Sequence, residues 1–132
     1  SCKGLYGKKT PKGQEIKKYL SSKTQEKNGF TLIAERIELD STEEVKNILF
    51  ELRTKIPNLV CIVGCEIKGK PSVSVIIADN LVKDKNLNAG TIIRDLAKEI
   101  DGGGGGQAFY ATAGGTKLEG LTAAIEKAKA LF

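Results

Sequence analysis

Gly102-Gly103-Gly104-Gly105-Gly106-Gln107-Ala108-Phe109-Tyr110-Ala111-Thr112-Ala113-Gly114-Gly115 is the stretch on which the reading of this 132-residue chain turns. Five consecutive glycines follow Asp101 at the end of a helical pattern, and a short strand pattern, Phe109 to Ala113, comes after them. One glycine suffices to stop a helix. Each further glycine gives up more conformational entropy on folding than any other residue, so a run of five needs another reason. A flexible linker is one reason, but linkers usually carry serine and join separate domains, whereas this run falls inside a single predicted fold. The other is close approach: without Cβ atoms the run can expose several backbone N–H groups and admit another backbone closely, which suits phosphate or ribose.

The flanks point the same way. Gly114-Gly115 lies between the strand and the last helix, where Thr116 and Glu119 form a capping box and the helix start would attract an anion. Asn88-Ala89-Gly90 opens the preceding helix, with Asn88 as its cap. Ordinary capping explains either helix end taken alone; what favours a site is that both glycine clusters flank one strand. No Gly-Lys-Ser/Thr follows, so this is no Walker loop. The dinucleotide fingerprint runs from strand into helix, whereas this run goes from helix into strand.

Working outward, Asn88 to Ile100 reads as a helix with Ile92, Ile93, Leu96, Ala97 and Ile100 inward. Before it, Leu59–Glu66 and Ser72–Asp79 read as two strands joined by the turn signal Lys68-Gly69-Lys70-Pro71, the first apolar enough to be buried on both faces. Ser41 and Glu44 form a capping box for a helix burying Val45, Ile48, Leu49, Leu52 and Ile56, which Pro57 ends. Phe30 to Leu39 reads as a strand. The last helix buries Leu118, Leu121, Ile125, Ala128 and Phe132. The order is β-α-β-β-α-(glycine loop)-β-α, an α/β (α+β) fold in which helices pack on a mixed β-sheet. Phe109 and Tyr110 should point to opposite faces of their strand, one into the core and one free to stack on a base.

Upstream, residues 14–28 read as a helical segment or linker whose apolar stripe, Ile16 and Leu20 with Tyr19 beside them, is thin; Asn28-Gly29 stops it. Residues 1–13 read as a disordered basic arm, and 29–132 as the globular domain. Residues 1–28 hold eight lysines against Glu15 and Glu26, a balance of +6; the rest holds 13 basic and 14 acidic side chains, a balance of −1. The arm therefore carries the net charge, and its basicity fits either attraction to phosphate or a solvated linker.

Composition excludes several classes. No run approaches the roughly 18 apolar residues of a membrane span and no signal peptide is evident, so the expected setting is cytoplasmic, with no membrane partner. Cys61 and Cys65, about 13 Å apart along a strand, are beyond disulfide reach and read as small buried hydrophobes. Histidine is absent. With no C-x-x-C pair either, a metal site is not expected, and no Ser-His-Asp or Cys-His set can form.

The stretch Asn80 to Gly115, with Asn88-Ala89-Gly90, Leu96-Ala97-Lys98, Gly102–Gly106 and Ala111-Thr112-Ala113-Gly114-Gly115, resembles the glycine-rich DHH-associated domain at the C-terminus of alanyl-tRNA synthetases. The likeness spans Phe30 to Phe132, and residues 14–28 correspond to the end of the family's helical, dimer-forming segment. The resemblance implies a module that binds the elbow of alanine-specific tRNA and assists both aminoacylation and editing. It implies no catalysis or cofactor here, since ATP and zinc belong to domains of the parent enzyme. The glycine run and its flanks put the expected RNA contacts at Gly102, Gly103, Gly104, Gly105 and Gly106, at Gln107 and Tyr110, at Gly114 and Gly115, and at Asn88 and Gly90. Related DHH phosphoesterases hold their nucleotide substrate with a similar glycine loop, usually followed by histidine. Gln107 stands there instead, which weighs against that alternative. A pure dimerisation module is the third reading.

Overall fold

A computed structural model describes residues 11–132; the Ser1–Thr10 part of the expected basic arm, with Cys2, Lys3, Lys8 and Lys9, lies outside the described residues. The elements are α1 (Pro11–Ser21), β1 (Gln25–Lys27), β2 (Phe30–Arg36), α2 (Thr42–Lys55), β3 (Leu59–Ile67), β4 (Lys70–Ile77), α3 (Asp79–Asp84), α4 (Ala89–Ala97), β5 (Gly102–Gly106), β6 (Tyr110–Gly115) and α5 (Leu121–Leu131). One six-stranded sheet runs β1-β2-β3-β4-β6-β5. Only β2 and β3 pair in parallel. That pairing requires a crossover, which α2 supplies. The mixed sheet with helices packed on it is the expected fold class.

Period-two alternation sorts the strands' side chains onto two faces. Phe30, Leu32, Val60, Ile62, Val73, Val75, Ala111 and Ala113 meet Ile93 and Leu96 of α4 and Leu121 and Ile125 of α5. Ile33, Cys61, Val63 and Ile76 meet Val45, Leu49 and Leu52 of α2 and Ile16 and Leu20 of α1. Central β3 is buried on both faces, as its unbroken apolar run predicts. Cys61 and Cys65 are buried free thiols within it. Burial pushes the Cys65 thiol up to about 11, with Arg36 nearby pulling slightly the other way. The same cause raises Cys61 still further.

Local chemistry makes several boundaries legible. The Ser41 hydroxyl accepts from the Glu44 N–H at 3.2 Å, and the Asn88 side chain accepts from the Thr91 N–H at 3.1 Å, as capping predicts. The β3–β4 hairpin turns at Lys68-Gly69, both at positive φ.

The upstream expectation needs correcting. Residues 11–13 are helical rather than part of a disordered arm, and the helix ends at Ser21. Residues 25–27 are a strand paired antiparallel with β2. Asn28 (φ 47°) and Gly29 (φ 87°) make the tight turn between them instead of stopping a helix. Ile16 and Leu20, at 9% and 0% exposure, are core, while Tyr19 beside them is exposed. Short α3 replaces the end of the expected strand: β4 stops at Ile77 and the chain turns helical at Asp79.

The glycine run is not a loop. Gly102–Gly106 is edge strand β5, paired residue for residue with Gly115–Ala111 of β6. Glycine has low strand propensity, and a run without side chains shows no alternation to read. The strand exists because β6 offers a ladder and because, at alternate positions, only glycine fits against the β6 backbone.

Candidate nucleic-acid interface

α2 packs on one face of the sheet over β3 and β4 and reaches Tyr110 at the start of β6 through Phe50; beyond Tyr110 that face of β6 is open. Thr112 and Gly114 are exposed on it. Their register partners Gly105 and Gly103 face open space: a Cβ built on either meets nothing within 4 Å. The alternate glycines behave oppositely. A Cβ at Gly102 would lie 2.0 Å from the Gly114 carbonyl oxygen, at Gly104 2.2 Å from that of Thr112, and at Gly106 2.5 Å from that of Tyr110. These distances are far inside van der Waals contact, so Gly102, Gly104 and Gly106 are required by packing. The entropic cost that suggested recognition is explained at three positions by the β6 backbone; only Gly103 and Gly105 remain available to a ligand.

Other expected contacts divide in the same way. A Cβ on Gly115 would meet the Ile100 carbonyl oxygen at 2.1 Å. One on Gly90 would lie 3.2 Å from the Asn88 side-chain oxygen and 3.4 Å from the Gly106 carbonyl. Asn88 is occupied as a helix cap. Gly115 thus admits the Ile100 backbone, Gly90 admits the Gly106 carbonyl, and Asn88 caps its own helix. The expected capping box at Thr116 and Glu119 does not form. A 3-10 turn spans Leu118–Gly120, α5 starts at Leu121 with Gly120 as its cap residue, and no side chain caps it. The Thr116 and Lys117 N–H groups both donate to the Ile100 carbonyl at 3.0 Å, so those donors are already paired within the fold.

Some of the expected residues converge. Gly105, Gly106, Gln107 and Tyr110 line a cleft of about 260 Å³ between the β5–β6 turn and the flank of α2, while Gly103 and Gly114 do not line it. The opposite wall is Lys46 and Phe50. The Phe50 ring lies 5.1 Å from Tyr110 and 6.2 Å from Phe109, centroid to centroid. Phe109 therefore precedes the strand and turns, like Tyr110, toward Phe50; the two rings do not take opposite faces. Burial raises the Tyr110 pKa, a hydrogen bond with Ser74 partly offsets this, and the phenol is neutral at physiological pH. The Arg53 guanidinium lies over both Phe109 (5.1 Å) and Phe50 (5.3 Å) and donates to Asp79 at 3.1 Å. The Lys46 ammonium is 6.0 Å from the Phe50 centroid.

Lys46, Phe50 and Arg53 escape the sequence reading. Their spacing by four and three puts them on one flank of α2, off the buried stripe. Phe50 is the available signal: a large apolar residue outside the pattern Val45, Ile48, Leu49, Leu52. Among the described residues, no group of His, Cys, Asp or Glu is placed to hold a metal ion. Nor, among them, is any helix long and apolar enough to cross a membrane. A glycine floor, aromatic walls, a neutral amide and a cation form an arrangement suited to stacking on a planar ring and pairing with a phosphate.

Residues 29–132 match the model of the DHHA1 domain family. The chain is 42% identical over 121 residues to an alanine–tRNA ligase of Cytophaga hutchinsonii, covering 92% of this chain and 14% of that protein. It is 44% identical over 117 residues to an alanine–tRNA ligase of Bacteroides thetaiotaomicron, covering 88% and 13%. The chain thus spans about one seventh of the curated relatives it matches. Among solved structures, the C-Ala domain of Aquifex aeolicus alanyl-tRNA synthetase superposes with a TM-score of 0.71 at 26% identity, over 81% of this chain and 95% of that one.

Proposed function

This chain belongs to the DHHA1 domain family in the form carried by alanyl-tRNA synthetases, and from that premise we propose that it is the tRNA-binding module of an alanine–tRNA ligase. The observation that carries the RNA contact to a particular place is the cleft beside the open face of β5 and β6, where Gly105, Gln107 and Tyr110 face Phe50 and Lys46. Its ligand in this reading is alanine-specific tRNA, held at the elbow. A module gripping the elbow leaves the acceptor end free to reach separate aminoacylation and editing sites, which is how a non-catalytic domain would assist both. Catalysis, with its ATP and zinc, would reside in other domains of the ligase. The setting that follows from this role is cytoplasmic.

The test is a tRNA titration paired with a thermal melt. Gly105→Val places a branched side chain in open space on the cleft floor, and strand backbone accepts valine readily. The variant should melt close to the parent and bind tRNA at least tenfold more weakly. Lys129→Ala, on α5 and paired with Glu126, serves as the control and should bind like the parent. A folded Gly105→Val chain with undiminished affinity would remove the cleft from the interface.

A further inference from the structure

We propose that the cleft takes one unpaired nucleobase, stacked against Phe50 and Tyr110 over the Gly105–Gly106 backbone, with the adjoining phosphate on Lys46. The RNA must then present a splayed or loop base rather than a duplex. This inference rests on the RNA-binding reading above and specifies which part of an RNA enters.

Four properties of the cleft select this ligand. Its volume, about 260 Å³, lies below the roughly 300–1,000 Å³ of sites for drug-sized molecules, so it admits a single small planar group. Its walls are aromatic: Phe50 and Tyr110 both line it, in contact with each other at 5.1 Å between centroids and tilted by 53°. Its floor lacks side chains, since the Gly105 Cβ position is empty, and a flat ring can lie directly on the backbone. Finally, Lys46 is the one charged residue among the described residues that line it. The nearby Arg53 is bonded to Asp79.

The charge count decides between backbone and base. A single phosphate contact gives a salt slope of only about 0.7–0.9, worth about threefold in affinity between 50 and 200 mM salt. Duplex binders depend on many such contacts, and this cleft cannot supply them. Stacking is the larger interaction it offers, and alanine substitutions elsewhere assign base–aromatic contacts about tenfold or more in affinity. Gln107, exposed at the turn and lining the cleft, carries both amide donors and a carbonyl acceptor toward the edge of a base so placed. Its backbone N–H donates to the Tyr110 carbonyl at 2.8 Å, which fixes the turn. Arg53 acts as a positioning residue, its guanidinium lying over the Phe50 and Phe109 rings while Asp79 anchors it.

The experiment uses the full chain with two RNA probes of equal length. One is a hairpin with 2-aminopurine at a loop position; the other is a blunt duplex with the same base paired. The hairpin should bind with a change in 2-aminopurine fluorescence and the duplex should compete at least tenfold less well. Phe50→Leu should weaken hairpin binding about tenfold and abolish the fluorescence change. Lys46→Gln should keep the change and lower the salt slope by about 0.7–0.9. If Phe50→Leu lowers the melting temperature, Gly105→Val decides the matter, because it blocks the floor without removing a packed group. Tight hairpin binding with no fluorescence change, or equal competition by the duplex, overturns the inference while leaving the RNA-binding reading intact. If the parent binds neither probe and no tRNA, both readings fall.

Discussion

A methyl group added to Gly104 would lie 2.2 Å from the Thr112 carbonyl oxygen, whereas one added to Gly105 meets nothing within 4 Å. Overpacking by a methylene or two typically costs about 1–3 kcal/mol, and here the obstacle is backbone that cannot rotate aside. Gly104→Ala should therefore lower stability in urea by at least that much, while Gly105→Ala stays within about 1 kcal/mol of the parent. Equal stability of the two variants would contradict the packing of β5 on β6. The buried thiols make a second residue-scale prediction. Since folding raises the Cys65 pKa from 9.0 to about 11, the unfolded chain gives up that proton first as pH rises. The thiol's contribution is intact below about pH 9 and is lost between about pH 9 and pH 11, so the urea midpoint should fall across that window. At about pH 8, Cys61 and Cys65 should resist a thiol reagent until denaturant is added, because the reactive thiolate is scarce in buried sites; rapid labelling of either residue in a folded Cys2→Ser chain would show that β3 opens.

Among the elements, α1 and β5 owe most to their neighbours. α1 has two inward apolar side chains amid lysines, which by periodicity alone is a weak helix. It is held because Leu20 fills the space between α2 and β2, and because Lys17 pairs with Glu51 at 2.6 Å across to α2. Leu20→Ala should cost about 2–5 kcal/mol, and Tyr19→Ala, whose side chain is 42% exposed, less than about 0.5. Near-equal melting of the two would make α1 a loosely attached tether. The helices with capping residues are readable in advance because a cap is a local hydrogen bond. Ser41 and Asn88 announce α2 and α4 without knowledge of what those helices touch. Thr116 fails as a cap because its N–H and that of Lys117 are drawn to Ile100 from another element.

For the whole molecule, charge is unevenly distributed along the chain. Residues 1–28 hold the excess of lysine and residues 29–132 are nearly neutral; Lys12, Lys17, Lys18, Lys23 and Lys27 lie in or beside α1 and β1, while Lys46 is the one charged residue among those described that line the cleft. Removing residues 1–10 takes away Lys3, Lys8 and Lys9 and leaves α1 in place. The salt slope of tRNA binding should flatten by up to about 0.7–0.9 for each phosphate the shortened chain no longer neutralises, with base stacking at the cleft unchanged. An unaltered slope would make the arm a bystander.

Sequence by itself determined the features that depend on near neighbours along the chain. It specified the two-face burial of β3, the inward stripes of α2, α4 and α5, the β3–β4 turn, and the family likeness carried by the glycine pattern. These follow from periodicity and short-range hydrogen bonding, and both are local. Tertiary structure alone decided that Gly102–Gly106 is a strand, because the steric demand for glycine comes from the β6 backbone and a run without side chains has no period of its own. It alone also sorted those glycines into three that pack and two that face solvent. It alone made the cleft, since Phe50 acquires a role only when the sheet brings Phe109 and Tyr110 against the flank of α2.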